Sequence, residues 1–408
     1  MRTPVCITLT VSVALGASAI GCTDPVTVYD GPDAAAWGPA CTTRSAPDGG
    51  VGYVTNSLMN SVSVLDLGAG STAATHVVGV TPLVVNGPHH LVLDDAHGWM
   101  FSPMSFPSAT TSAGPHAAHG SSQTPGVLVR RSLCDFRLLG ELAVDPNPGD
   151  IAITPDRRTV FVSHFDLRRA LLNVGDADAQ RSNLVVVDAA SMTRRATVPL
   201  CVAAHGMAVA PDGRTLYVAC YGDDALAVVD LTTPTPTPRL VYLSHAPASV
   251  TDPSYGPYAV GISPDGSTVW VGCSVTGLLV AFDTATAAFD TARARTFASK
   301  PLFPAFGPDG ATMVVPLQGP DAVARVTTAA PLRVAQQVTF DPAVCTLPHQ
   351  VARGPDGRFY VVCEGRHGTD PGTATAGTVV ALDPDTLRVV HTFPVGLYPD
   401  DILFGGPP

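Results

Sequence analysis

The stretch His205-Gly206-Met207-Ala208-Val209-Ala210-Pro211-Asp212-Gly213, followed by Leu216-Tyr217-Val218-Ala219-Cys220 and Ala225-Leu226-Ala227-Val228-Val229-Asp230, decides the architecture. It holds a short apolar run, a Pro-Asp-Gly turn, a second apolar run, a polar connection and a third run ending in aspartate. Matching units have turn centres at Pro47-Asp48-Gly49, Asp95-Ala96-His97, Pro155-Asp156, Pro264-Asp265-Gly266, Pro308-Asp309-Gly310 and Pro355-Asp356-Gly357, seven units in all. Self-similarity at a period of about 40 to 60 residues marks a repeat architecture. A fourth run, such as Ala196-Thr197-Val198-Pro199-Leu200, follows the third. Four short β-rich runs per unit are the pattern of propeller blades, and no stretch keeps a helical period.

Closure is legible too. Pro399-Asp400-Asp401-Ile402-Leu403-Phe404 is a first strand with no blade after it, while the first unit has good strands only at 52–55 and 61–65. Its own leading segment, Cys41 to Ser45, is too polar for an inner strand. The expectation is an all-β, seven-bladed propeller over residues 47–408, its first blade closed by the C-terminal strand so that no sheet edge stays open. Within each unit the Pro-Asp-Gly triplet is turn chemistry: Pro presets φ, Asp caps its own turn and Gly supplies φ > 0. Asp66, Asp188, Asp230, Asp283 and Asp383, each ending a third run, are expected to cap the next turn in the same way.

Composition excludes several classes. The chain has 408 residues, 46% hydrophobic and 14% charged, with 38 Gly and 38 Pro, which suits a turn-rich packed domain and not a disordered chain. A net charge of −11 and a single lysine, Lys300, argue against a nucleic-acid partner and against Schiff-base chemistry. Residues 1–21 read as a secretory signal: Met1-Arg2, an apolar run from Val5 to Ala19, then small residues. Ala19-Ile20-Gly21-Cys22 resembles a bacterial lipobox, which makes Cys22 the lipidated first residue of the mature protein; cleavage after Ala17-Ser18-Ala19 is the other reading. Residues 22–46 are then anchor and leader. The expected address is the cell envelope, as an outer-membrane lipoprotein because Thr23 is not acidic, and otherwise periplasmic or extracellular.

Tyr53-Val54-Thr55-Asn56, followed by Asn60-Ser61-Val62-Ser63-Val64-Leu65-Asp66, resembles the bacterial YVTN-repeat β-propeller family, with Leu216 to Asp230 as a looser copy. The resemblance spans roughly residues 46 to 404 and implies the fold. It does not fix a chemistry, because similar propellers include envelope proteins without an assigned role, lactonases and amine-dehydrogenase subunits.

Of nine cysteines, seven follow the signal and Cys22. Cys201 and Cys345 each precede a histidine by four residues (His205, His349), and Cys220 and Cys363 end the following second strands. The start of strand one and the end of strand two share a rim of one blade, so Cys201–Cys220 and Cys345–Cys363 are expected as equivalent intrablade disulfides. Paired Cys/Cys/His metal sites are the alternative. Cys41–Cys134 is a third possible bridge, leaving Cys273 a buried thiol.

Six residues before each turn proline, or its equivalent, the innermost strand begins beside the channel. These positions are Asp400, His89, Gly149, His205, Tyr258, Leu302 and His349 around the ring. Blades seven, one and two are neighbours, so His349, Asp400 and His89 should lie close together, with His164 and Glu364 joining from enlarged loops on the same rim, which also bring His116, His119 and His367. His205 lies across the ring and joins one site with His89 and His349 only if the channel is narrow. Histidines and a carboxylate around a mouth fit a divalent metal, zinc or copper, or a general acid or base. Pro-His at a strand start is also an ordinary packing arrangement. No haem, nucleophile-elbow, phosphate-loop or His-Glu-x-x-His motif occurs. The leading expectation is therefore a monomeric, non-catalytic binding or scaffolding protein of the envelope. It would take an envelope protein or small ligand on the looped face and touch the membrane through lipid only. The alternative is a metal-dependent, lactonase-like hydrolase with its site in the channel.

Overall fold

The computed structural model describes residues 49–106, 120–366 and 374–405, apart from positions 234 and 248. Seven antiparallel sheets succeed one another along the chain. In blades two to seven the strands run in sequence order from the channel outward. Blade one instead takes Pro399–Gly405 as its innermost strand, beside Val51–Asn56, Ser61–Asp66 and Ser71–Val77. The pairs Val51 with Gly405, Tyr53 with Leu403 and Val54 with Ile402 sew the two chain ends together.

The repeat dictates this packing. Inner and middle strands are buried on both faces because each sheet is sandwiched between two others; Thr215–Cys220 and Thr268–Cys273 carry almost unbroken apolar runs. The outermost strands alternate, as Ser71–Val77 and Val334–Thr339 do, because one face meets water. Between blades five and six the fully buried Trp270 packs with Leu279, Met313 and Val315. The Pro-Asp-Gly turns also stack round the ring. Gly266 turns at φ 72°, and a Cβ there would come 3.0 Å from Pro211 of the preceding turn. Blade three lacks that glycine, and Arg157 adopts the left-handed conformation instead, at φ 62°.

The strand-ending aspartates cap their turns: Asp66, Asp188, Asp230, Asp283 and Asp383 each accept a backbone N–H two or three residues on. Hydrogen bonds from the Thr286 N–H and hydroxyl hold the Asp283 carboxyl below the usual carboxylate range. A depressed folded-state pKa contributes stability above the unfolded value, and that stability is lost as pH falls through the folded one. Asp283→Asn is therefore expected to melt below the parent at pH 7, with the gap closing as pH falls below the ordinary carboxylate range, through the lowered folded-state value. A gap that stays constant with pH in paired thermal melts would show that the charge plays no part.

The two expected disulfides are formed, Cys201 with Cys220 and Cys345 with Cys363, at Cα separations of 5.8 and 5.2 Å. They are not metal ligands. Cys134 is disulfide-bonded as well, but Cys41, its expected partner, lies outside the described residues, as do the signal segment and Cys22. Cys273 is a buried thiol. Among the described residues no helix is long and apolar enough to cross a membrane.

Candidate metal centre

One irregularity, repeated in every blade, builds the site. In blade seven Pro348 pairs with Cys363 and Gln350 with Val362, so His349 has no cross-strand partner. In blade five Pro257 pairs with Cys273 and Ala259 with Gly272, which leaves out Tyr258. Blades one, three and four insert one residue at Asp400-Asp401, Gly149-Asp150 and His205-Gly206. In blade two His89-His90-Leu91 face two residues between the Pro88–Met104 and Val92–Phe101 pairs, and blade six does the same from Pro301 to Ala305. A β-bulge kinks its strand and re-aims side chains. Just ahead of the bulge, Tyr398, Gly87, Asn147, Ala203, Gly256 and Leu347 hold φ between 51° and 65°. A left-handed residue followed by proline starts five of the seven inner strands; in blade four Ala204 takes the place of the proline. The bulky Tyr398 and Leu347 hold this conformation at a cost that tertiary packing must offset.

The bulges deliver two consecutive side chains to the channel. At the first position stand His89, His205, His349, Tyr258 and Asp400; at the second stand His90, Asp150, Asp401 and Phe303. All nine are at most 8% exposed. The imidazoles pack tightly: ring centroids are 4.3 Å apart for His89 and His90, 5.5 Å for His89 and His205, 5.8 Å for His90 and His205, and 5.9 Å for His90 and His349. His205 therefore does not stand apart. The channel is narrow at this end, so that residues from non-adjacent blades touch, His89 Nε2 lying 3.4 Å from His205 Nε2. The remaining gaps are filled by Phe303, Tyr258 and Phe165 against these rings.

Each histidine is held on its Nδ1 side or by its backbone. His349 Nδ1 donates to the Asp400 carbonyl at 2.8 Å. His89 Nδ1 lies 3.2 Å from Asp400 Oδ2. His90 Nδ1 lies 3.5 Å from both Asp150 and Asp401, while its Nε2 is buried with no hydrogen-bond partner. The His205 carbonyl accepts Ser163 Oγ at 2.8 Å. Asp401 and Asp150 are themselves fixed by N–H groups of the next blade, Leu91 at 2.9 Å and Met207 at 2.7 Å. The staples between blades thus also set the rings, the arrangement in which a carboxylate orients a ligating imidazole through its other nitrogen.

Burial opposes protonation of His90, but the Asp150 and Asp401 carboxylates outweigh it and raise its pKa. Burial, then the nearby Glu364 carboxylate, holds the Asp400 carboxyl well above the usual range despite the hydrogen bond from Ser57. The same two causes push the Tyr258 and Tyr398 phenols up.

Two compact donor groups result, His89/His90/His205 and His349/Glu364/Asp400, the ligand atoms of each lying within 4.8 Å of one another. Of the sequence candidates, His89, His349, Glu364 and Asp400 come together. His164 does not: it ends the strand Thr159–His164, and its Nδ1 donates to the Asn183 carbonyl at 2.8 Å. His116, His119 and His367 lie outside the described residues. His90, Asp150 and Asp401 escaped the sequence reading because it took one position per blade where the bulge presents two. Their signal was the second residue after the blade proline, as in Pro88-His89-His90 and Pro399-Asp400-Asp401.

No protein-family model and no curated protein matches the chain. Solved structures do. The periplasmic gluconolactonase PpgL of Pseudomonas aeruginosa is 16% identical, over 88% of this chain and 99% of that one, with a TM-score of 0.63. A protein of unknown function from Desulfotomaculum acetoxidans DSM 771 is 12% identical over 88% and 100%, with a TM-score of 0.64. The Kuenenia stuttgartiensis hydrazine synthase is 21% identical over 75% and 80%, with a TM-score of 0.55. At these identities the likeness is one of fold. The chain is a seven-bladed β-propeller with a buried histidine–carboxylate centre at one end of its channel.

Proposed function

We propose that this chain is a metal-binding propeller protein of the cell envelope, exported by residues 1–21 and anchored through Cys22, and that its ligand is a divalent zinc or copper ion held by His89, His90 and His205. One observation carries the reading: the 3.4 Å approach of His89 Nε2 to His205 Nε2, with the unpartnered His90 Nε2 buried among the same rings. Zn–N bonds of about 2.0–2.1 Å at a tetrahedral angle set adjacent nitrogens about 3.3 Å apart. A bare N–H···N contact is the competing account. The two disulfides fit export to an oxidising compartment.

Metal analysis of the purified mature protein distinguishes them. Near-stoichiometric zinc or copper is expected, and His89→Ala/His205→Ala should lose it while keeping its β-rich circular dichroism. A folded parent chain that stays metal-free after loading overturns the proposal. A second reading, a metal-dependent hydrolase of small lactones or esters, is supported by Asp400. Its carboxyl lies beside His89 with its pKa raised by burial, the direction a proton donor to a leaving group needs. Hydrolysis that tracks metal content would favour it, and bound metal without turnover would leave the binding role.

A further inference from the structure

The three-histidine group leaves other buried residues at the channel unused, and three of them form a second donor set. His349, Glu364 and Asp400 come from the inner strand of blade seven, the loop after its second strand and the closing strand of blade one. They are 0%, 1% and 0% exposed. One ligand atom from each lies within 4.8 Å of the others.

Each group is held from behind. The Asp400 carbonyl accepts from His349 Nδ1 at 2.8 Å and so orients the ring. Gln318 Nε2 donates to Glu364 Oε1 at 3.3 Å. Ser57 Oγ donates to Asp400 Oδ2, yet Asp400 Oδ1 is buried without a hydrogen-bond partner. Two carboxylates in a dry channel repel one another, and leaving such an oxygen unpaired is costly, unless a cation or proton sits between them. The set also offers an imidazole nitrogen, which a divalent cation would use alongside the carboxylates.

We propose that His349, Glu364 and Asp400 form a second divalent-cation position, distinct from the three-histidine one and linked to it through His89. The inference rests on the reading of the channel as a metal centre. His89 is the link because its Nδ1 side meets Asp400 Oδ2 at 3.2 Å while its Nε2 meets His205. The donor sets differ in kind. Three nitrogens suit zinc or copper, whereas one nitrogen with two carboxylates also accepts manganese.

Zinc stoichiometry of the intact mature protein and two variants separates the positions. After loading and desalting, the parent should hold about two equivalents, and Glu364→Gln and His205→Ala about one each. One equivalent in the parent, kept by Glu364→Gln and lost by His205→Ala, overturns the second position and leaves the first. One equivalent with the opposite pattern sustains the second and removes the first. None in the parent overturns both. Should Glu364→Gln fail to fold, manganese titration of the metal-free parent followed by electron paramagnetic resonance replaces it. About one bound Mn(II) per chain supports the position, and only the free-ion signal overturns it.

Discussion

A chain ending at Tyr398 is expected to lose its cooperative melt and to collect as aggregate, although only the last few residues are missing. Pro399–Gly405 is the innermost strand of blade one, hydrogen-bonded along Val51–Asn56. Without it blade one becomes an open three-stranded sheet at the point where blade seven should dock, with two unpaired edges able to recruit other chains. The fully buried Ile402 packs with Val54, Leu65, Tyr360 and Phe393, so its removal also opens the interface between blades one and seven. Asp401 Oδ2 caps the Leu91 N–H, and Thr55 Oγ1 accepts the Asp401 N–H, so the loss reaches blade two. Truncating Ile402 alone to Ala should cost about 2–5 kcal/mol. Removal of the whole strand then exceeds most of the roughly 5–15 kcal/mol that holds a native domain together. Thermal melts by circular dichroism with size-exclusion chromatography would check this, and a peptide of residues 399–405 added in trans should partly restore the melt. A truncated chain that melts as sharply and at the same temperature would show that the ring closes by other means.

The same strand shows why the fold was legible in the sequence and the site only partly so. Fold information is repeated: seven turns, five aspartate-ended runs and an orphan strand at Pro399 each say the same thing, so one atypical unit, such as Pro155-Asp156-Arg157, does no harm. The site is written once per blade, in residues that differ from blade to blade. Position counting found His89, His349 and Asp400 because each follows its proline directly. It missed His90, Asp150 and Asp401 because strict alternation sends the next residue away from the channel, and only the bulge brings it back. No turn chemistry or hydrophobic period announces that bulge. His205 could be placed only conditionally, because its place round the ring fixes direction but not distance; the taper of the channel is a property of packed side chains. His164 was drawn in by lying near an enlarged loop, whereas the last residue of a strand directs its side chain by strand parity. It turns toward Asn183 in its own blade.

Loss of the two described disulfides is expected to weaken the fold and the metal centre together. Cys201–Cys220 and Cys345–Cys363 close loops with sequence separations of 19 and 18. In the loop-entropy model each contributes about 3 kcal/mol, so the pair together, about 6 kcal/mol, exceeds the lower end of a domain's whole stability. Their placement adds a functional consequence. Ala204 pairs with Cys220 and Pro348 with Cys363, which puts each bridge at the last regular pair before the bulge that presents His205 or His349. The left-handed Ala203 and Leu347 stand one residue outside those pairs, at φ 51° and 55°. Without the bridge, the bulge can relax toward a regular ladder, and such a slip turns the histidine off the channel. The double variants Cys201→Ser/Cys220→Ser and Cys345→Ser/Cys363→Ser should each melt well below the parent. Metal affinity should fall about tenfold, the low end for lost support behind a ligand. Cys273→Ser serves as the control: that thiol is buried, and burial pushes its pKa up and keeps it unreactive, so the substitution touches neither bridge. If both double variants melted with the parent and bound zinc equally well, the bulges would have to be held by the proline and the neighbouring blades alone.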